Sequence, residues 1–212
     1  AYHALTQSIL AHASVPVSFT PVALSGLTGI FGRERHALQS TEFSFSRFLT
    51  PYLSGYEGWS LFVDCDFLFR DDIARLFALA DDRHAVMVCQ HDYTPASGIK
   101  FLNQVQSVYA KKNWSSLMLF NNSRCRALTP EYVNSASGLE LHQFKWLEGD
   151  HEIGSLPLAW NWLVGEYPHN NDAKAVHFSI GGPWFDEFVD CDYSNEWRDC
   201  LAQVQFSRQR NG

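Results

Sequence analysis

The pentapeptide Phe-Val-Asp-Cys-Asp occurs twice, as Phe62 to Asp66 and as Phe188 to Asp192. Each copy sets two carboxylates one residue apart. In an extended backbone, the period of two puts both on one face, where they can share a divalent cation directly or through water. Context separates the copies. The first ends the apolar run Trp59 to Val63 and precedes Asp71 and Asp72, either of which can cap a helix through Ile73 to Ala80. In an open α/β sheet, the carboxyl end of a strand is where ligands bind. The second copy follows Asp186 and Glu187, leads into Tyr193, Ser194 and Asn195, and has no apolar strand before it. It reads as a solvated acidic turn. Asp64 and Asp66 are the candidate cation ligands.

The elements that must position this pair can be read along the chain. Residues 2–13 carry Tyr2, Leu5 and Ile9 on one helical face. Val15 to Leu24 reads as a short strand interrupted by Pro16 and Pro21. A glycine-rich loop with Gly26, Gly29, Gly32, Arg33 and Arg35 follows, then a helix over Ser40 to Leu53 that Pro51 bends or ends. Trp59 to Val63, Ala85 to Cys89 and Ser116 to Phe120 have the continuous apolar character of buried strands. Helical segments are expected over 130–137 and 138–147, strands over Trp160 to Val164 and Lys174 to Phe178, and a closing helix around Trp197. This alternation predicts an α/β sandwich around a mostly parallel sheet, in one domain over residues 1–212.

Composition narrows the function. With 46% hydrophobic and 15% aromatic residues the chain can bury a sizeable core. A net charge of −7 without any Lys/Arg run argues against a nucleic-acid or anionic-membrane surface, so a phosphorylated ligand needs a cation to neutralise it. Five scattered Cys without a CxxC pair fit a reduced, cytoplasmic protein. No apolar stretch approaches the roughly 18 residues of a membrane span, so any membrane association is expected to be peripheral.

Several segments, in order, resemble the glycosyltransferases of GT-A fold, specifically the family-8-like group that includes glycogenin. Arg47 to Leu53 with Trp59 to Asp66 is similar to that family's Arg-containing helix and Leu-Asp-x-Asp strand end. Ser115 to Asn121 is similar to its Asn-Ser-Gly-Val-Met-Leu-Phe-Asn segment, and Leu156-Pro157 with Trp160-Asn161 to its Leu-Pro-x-x-Trp-Asn. Val176 to Phe178, followed by Gly181, Pro183 and Trp184, resembles its His-x-x-Gly…Lys-Pro-Trp. The resemblance implies a three-layer sandwich and a nucleotide-sugar donor, UDP-linked, bound through Mn²⁺ or Mg²⁺ held by Asp64, Asp66 and His177. Carboxylates with one imidazole suit Mn²⁺. It further implies donor contacts from Arg47, Asp64, Asp66, Asn121, Gly181 and Trp184. Gln143 would lie near the reacting sugar; apart from the resemblance, Asp150 and Asp92 follow a helix end and a strand end, and either can hold sugar hydroxyls. Transfer would be to a carbohydrate or glycolipid hydroxyl with retention, a front-face displacement that needs no protein nucleophile.

The chain also departs from that family. Gly182 stands where the family has Lys before Pro-Trp, with Arg47 or Lys174 as substitutes for the diphosphate contact. Trp114-Ser115-Ser116 replaces Asn-Ser-Gly, and His142-Gln143-Phe144 replaces Asp-Gln-Asp. The family's first strand is expected upstream of residue 1. Two other functions therefore stay open: an inactive relative that binds a sugar or nucleotide sugar, and a metal-dependent nucleotidyltransferase using the glycine-rich loop.

Overall fold

The computed structural model describes residues 1–33, 44–92, 99–100, 104–105 and 111–209. Its strands are β1 (Trp59–Val63), β2 (Phe67–Phe69), β3 (Val86–Cys89), β4 (Ile99–Lys100), β5 (Gln104–Val105), β6 (Leu117–Asn121), β7 (Ile153–Leu156), β8 (Trp162–Leu163) and β9 (Ala175–His177). The helices are α1 (Tyr2–His12), α2 (Thr50–Leu53), α3 (Ile73–Phe77), α4 (Pro130–Ser135), α5 (Gly138–His142) and α6 (Ser194–Gln209). Among the described residues, no helix is long and apolar enough to cross a membrane.

The main sheet has the order β1-β6-β3-β7. Only β3 and β7 pair in parallel; β6 runs against both β1 and β3. A second sheet, β2-β9-β8, is again mixed, antiparallel between β2 and β9 and parallel between β8 and β9. The expectation of a mostly parallel sheet is thus corrected. Apolar runs report burial on both faces, which β6 has regardless of its direction.

Alternation along the central strands sends side chains to opposite faces. Val86, Val88, Met118 and Phe120 join Phe48, Leu49, Val133 and Leu141 on one side. Met87, Cys89, Leu117 and Leu119 join Leu5, Ile9, Phe67 and Leu76 on the other. A third cluster, with Leu68, Val176, Phe178 and Trp197, fixes the second sheet beneath α6.

The local chemistry of several elements matches the sequence. Asp72 caps α3, its carboxylate accepting the Ala74 amide at 2.9 Å. Ser137 and Glu140 form a reciprocal capping box on α5. Other expectations change. Val15 to Leu24 forms no strand and ends in a 3-10 turn at Leu24–Gly26; prolines at 16 and 21 remove the amides a ladder would use. The expected helix before β1 is a 3-10 turn, Ser46–Leu49, running into α2, and residues 40–43 lie outside the described part. The segments near 130–147 are the short helices α4 and α5.

Candidate metal centre and its surroundings

Asp64, Asp66 and His177 converge. One ligand atom from each lies within 4.8 Å of the others, a grouping able to hold a metal ion. They come from the two sheets. Asp64 follows β1, and its amide donates to the Ser116 carbonyl at 2.9 Å, extending the pairing of β1 with β6. Asp66 opens β2, and its carbonyl accepts the Phe178 amide at 3.0 Å. Because β2 pairs with β9 in the register Phe67 to His177, the imidazole is carried to Asp66. The two aspartates meet across a turn at Cys65, not on one extended strand as the sequence suggested.

Each member is held before any ligand arrives. Arg47 Nη1 donates to Asp64 Oδ2 at 2.9 Å and to the Ser115 carbonyl at 2.8 Å. The His177 ring stacks on Phe67, with centroids 4.3 Å apart and planes 14° from parallel. Its Nε2 lies 3.5 Å from Asp66 Oδ1, a buried oxygen without a hydrogen-bond partner. Burial and the nearby Asp66 charge hold the Asp64 carboxyl above the usual range despite Arg47. Burial pushes Asp66 the same way, but His177 and backbone hydrogen bonding outweigh it and leave Asp66 low. A divalent cation fits this set: two carboxylates, an imidazole nitrogen, and an orphaned oxygen that a cation would satisfy.

The structure places the other predicted residues unevenly. Gln143 caps α5, and its carbonyl accepts from Lys111 Nζ at 3.1 Å; the same ammonium lies 2.5 Å from Asp150. That bond holds the exposed Asp150 carboxyl low. The same ammonium lies over the Trp114 ring, 5.8 Å from its centroid, and the Trp114 indole donates to the His91 carbonyl. Asn121 lies elsewhere. It pairs with Trp59 at the start of β1, roughly 16 Å from the Asp64 end at the rise of a strand.

Gly181 has a φ of 138°, and a Cβ there would meet the Phe188 ring at 2.4 Å. Trp184 packs against Phe178, Phe185 and Trp197. A Cβ at Gly182 would lie 2.3 Å from the Trp184 ring, so a lysine, or any other side chain, at this position requires Trp184 to shift. The proposed substitutes are already engaged, Arg47 as above and Lys174 with Asp71 at 3.0 Å. Arg33 of the glycine-rich loop donates to the carbonyls of Val133 and Ala136 and covers Phe45; Arg35 lies outside the described residues.

The second pentapeptide contributes to no such group of three among the described residues. Its Asp190 and Asp192 are exposed, and Asp192 faces His169 at 3.4 Å. Sequence reasoning missed the supporting residues Ser116 and Asn161, which lie behind His177. Asn161 sits inside a recognised motif, and its complete burial supplies the missing signal.

The chain matches no protein-family model. It resembles solved glycosyltransferases in fold. Against the bifunctional glycosyltransferase WbbM the TM-score is 0.62, at 14% identity over 95% of this chain and 47% of that one. Against the glycosyltransferase GlyE of Streptococcus pneumoniae TIGR4 it is 0.58, at 13% identity over 98% of this chain and 60% of that one. The chain thus spans about half to three-fifths of these structures. In sequence, it is 50% identical over 206 residues to Protein CDI of Arabidopsis thaliana, covering 93% of this chain and 79% of that protein. With a glycosyltransferase fold and this degree of identity along most of both sequences, the chain belongs to the family of Protein CDI.

Proposed function

We propose that the chain transfers a sugar from a nucleotide-sugar donor, UDP-linked, to a hydroxyl of a carbohydrate or glycolipid acceptor, with retention and in the family-8-like manner of GT-A enzymes. The convergence of Asp64, Asp66 and His177 at the junction of two sheets carries this reading. Bound there, Mn²⁺ or Mg²⁺ would stabilise charge on the leaving diphosphate as a Lewis acid.

The chain's own groups do the positioning. Arg47 fixes Asp64, while Phe67 fixes the plane of His177. Gln143 and Asp150, gathered by Lys111, are assigned to the reacting sugar: Gln143 to positive character at the anomeric carbon, Asp150 to sugar hydroxyls. The acceptor hydroxyl attacks on the face from which the diphosphate departs, and its proton passes to the departing phosphate oxygen. No protein nucleophile is required. Asn121, at the far end of β1, is left out of this assignment.

Calorimetric titration of UDP with Mn²⁺, and again with EDTA, tests the reading. Manganese-dependent binding supports it, and absence of binding in both buffers removes the UDP-sugar assignment. The glycine at position 182 and the engagement of Arg47 with Asp64 and of Lys174 with Asp71 favour one second reading, a relative that binds the donor without transferring it. Binding without release of UDP from any UDP-sugar would select that reading.

A further inference from the structure

Three hydrogen bonds, two of them buried, determine which nitrogen of His177 carries its proton. They can be followed from a group that has no choice. The Asn113 carbonyl can only accept, and the Ser116 hydroxyl donates to it at 2.7 Å, much nearer than the Asn161 amide nitrogen at 3.5 Å. Ser116 Oγ must then accept from Asn161 Nδ2, 2.9 Å away. With its amide nitrogen so placed, Asn161 turns Oδ1 toward His177 Nδ1, at 3.1 Å. A carboxamide oxygen only accepts, so Nδ1 is the protonated nitrogen. Ser116, Asn161 and His177 are 4%, 0% and 5% exposed, which leaves water little access to the chain of bonds.

We propose that Ser116 and Asn161 are positioning residues that lock His177 as its Nδ1-protonated tautomer and so present the Nε2 lone pair to a divalent cation shared with Asp66. Nε2 lies 3.5 Å from the orphaned Asp66 Oδ1. With Nε2 bare, two acceptors face each other in a buried place, an arrangement that a cation between them resolves. Ser116 links both halves of the centre, because its carbonyl also accepts the Asp64 amide. The resembled family has Gly at this position, so the hydroxyl link is a feature of this chain. The cation-binding consequence rests on the proposed metal reading; the tautomer does not.

The test is ¹⁵N NMR of the histidine side chains in metal-free protein at about pH 8, above the ordinary imidazole range, combined with Mn²⁺ titration. Wild-type His177 is expected to show protonated Nδ1 and bare Nε2. Ser116→Ala and Asn161→Ala are expected to mix the tautomers and weaken Mn²⁺ binding by roughly 10- to 100-fold, while Ser116→Thr retains both properties. A proton on Nε2 in wild type, alone or with one on Nδ1, overturns the proposal without requiring any variant to fold. So does Ser116→Ala with unchanged tautomer and unchanged affinity. Failure of wild type to bind Mn²⁺ overturns the metal reading and the cation half of this proposal, and the spectrum still decides the tautomer.

Discussion

The Arg47 guanidinium lies 2.9 Å from Asp64, and both side chains are largely withdrawn from solvent. Asp64 is therefore fixed in the apo protein by a charge that also holds the Ser115 carbonyl. Removing the guanidinium strands a carboxylate whose pKa burial already raises. Arg47→Met is expected to cost about 3–5 kcal/mol in urea denaturation. The double variant Arg47→Met/Asp64→Asn should regain most of that. A single-variant loss within 0.5 kcal/mol, the range typical of surface changes, would contradict this account.

The two copies of the pentapeptide offer an internal control for the cation site. Asp66→Asn should abolish measurable Mn²⁺ binding, since it removes the negative charge of the carboxylate that faces His177. Asp192→Asn, in the exposed turn, should leave the affinity unchanged. Calorimetry on both proteins distinguishes them, and equal losses would dissolve the assignment.

Restoring the lysine of the resembled family should fail at Gly182. The new Cβ would enter the Trp184 ring, itself packed against Phe178 and Trp197. Gly182→Lys is expected to destabilise by about 1–3 kcal/mol through overpacking and to add no affinity for UDP. A thermal midpoint at or above wild type would show that Trp184 moves aside freely.

Acid sensitivity should be traceable to two histidines. Burial, with the Arg47 charge, pushes His142 down to about 3, and burial with the His177 charge pushes His91 down to about 4. Both pKa values are depressed relative to an unfolded value near 6.5, so between these limits the unfolded chain binds more protons. Their contribution is complete above about pH 6.5 and is lost as pH falls. His142 alone should cost roughly 3 kcal/mol at pH 4. His142→Gln, which keeps a partner for Ser115 Oγ, should flatten that acid limb in denaturation measured across pH. An unchanged slope would exclude His142 as its source.

Much of the centre was legible from local chemistry. Trp59 to Val63 is apolar throughout and ends in Asp64-Cys65-Asp66, which marks a buried strand delivering carboxylates to a sheet end. The Asp72 cap and the Ser137–Glu140 box follow from residue types at fixed short spacing. The difference between the two pentapeptides was also readable, because one follows an apolar strand and the other an acidic turn.

Strand direction and long-range contact were decided only by the fold. An apolar run reads alike in either direction, so the reversal of β6 was invisible, and with it the removal of Asn121 to the opposite end of β1 from Asp64. His177 reaches Asp66 across 111 residues through the pairing of β2 with β9, a contact no local pattern encodes. The lock on its tautomer is set still later. Ser116 and Asn161 are ordinary polar residues until packing removes water and joins them with Asn113 and His177 in one chain of hydrogen bonds.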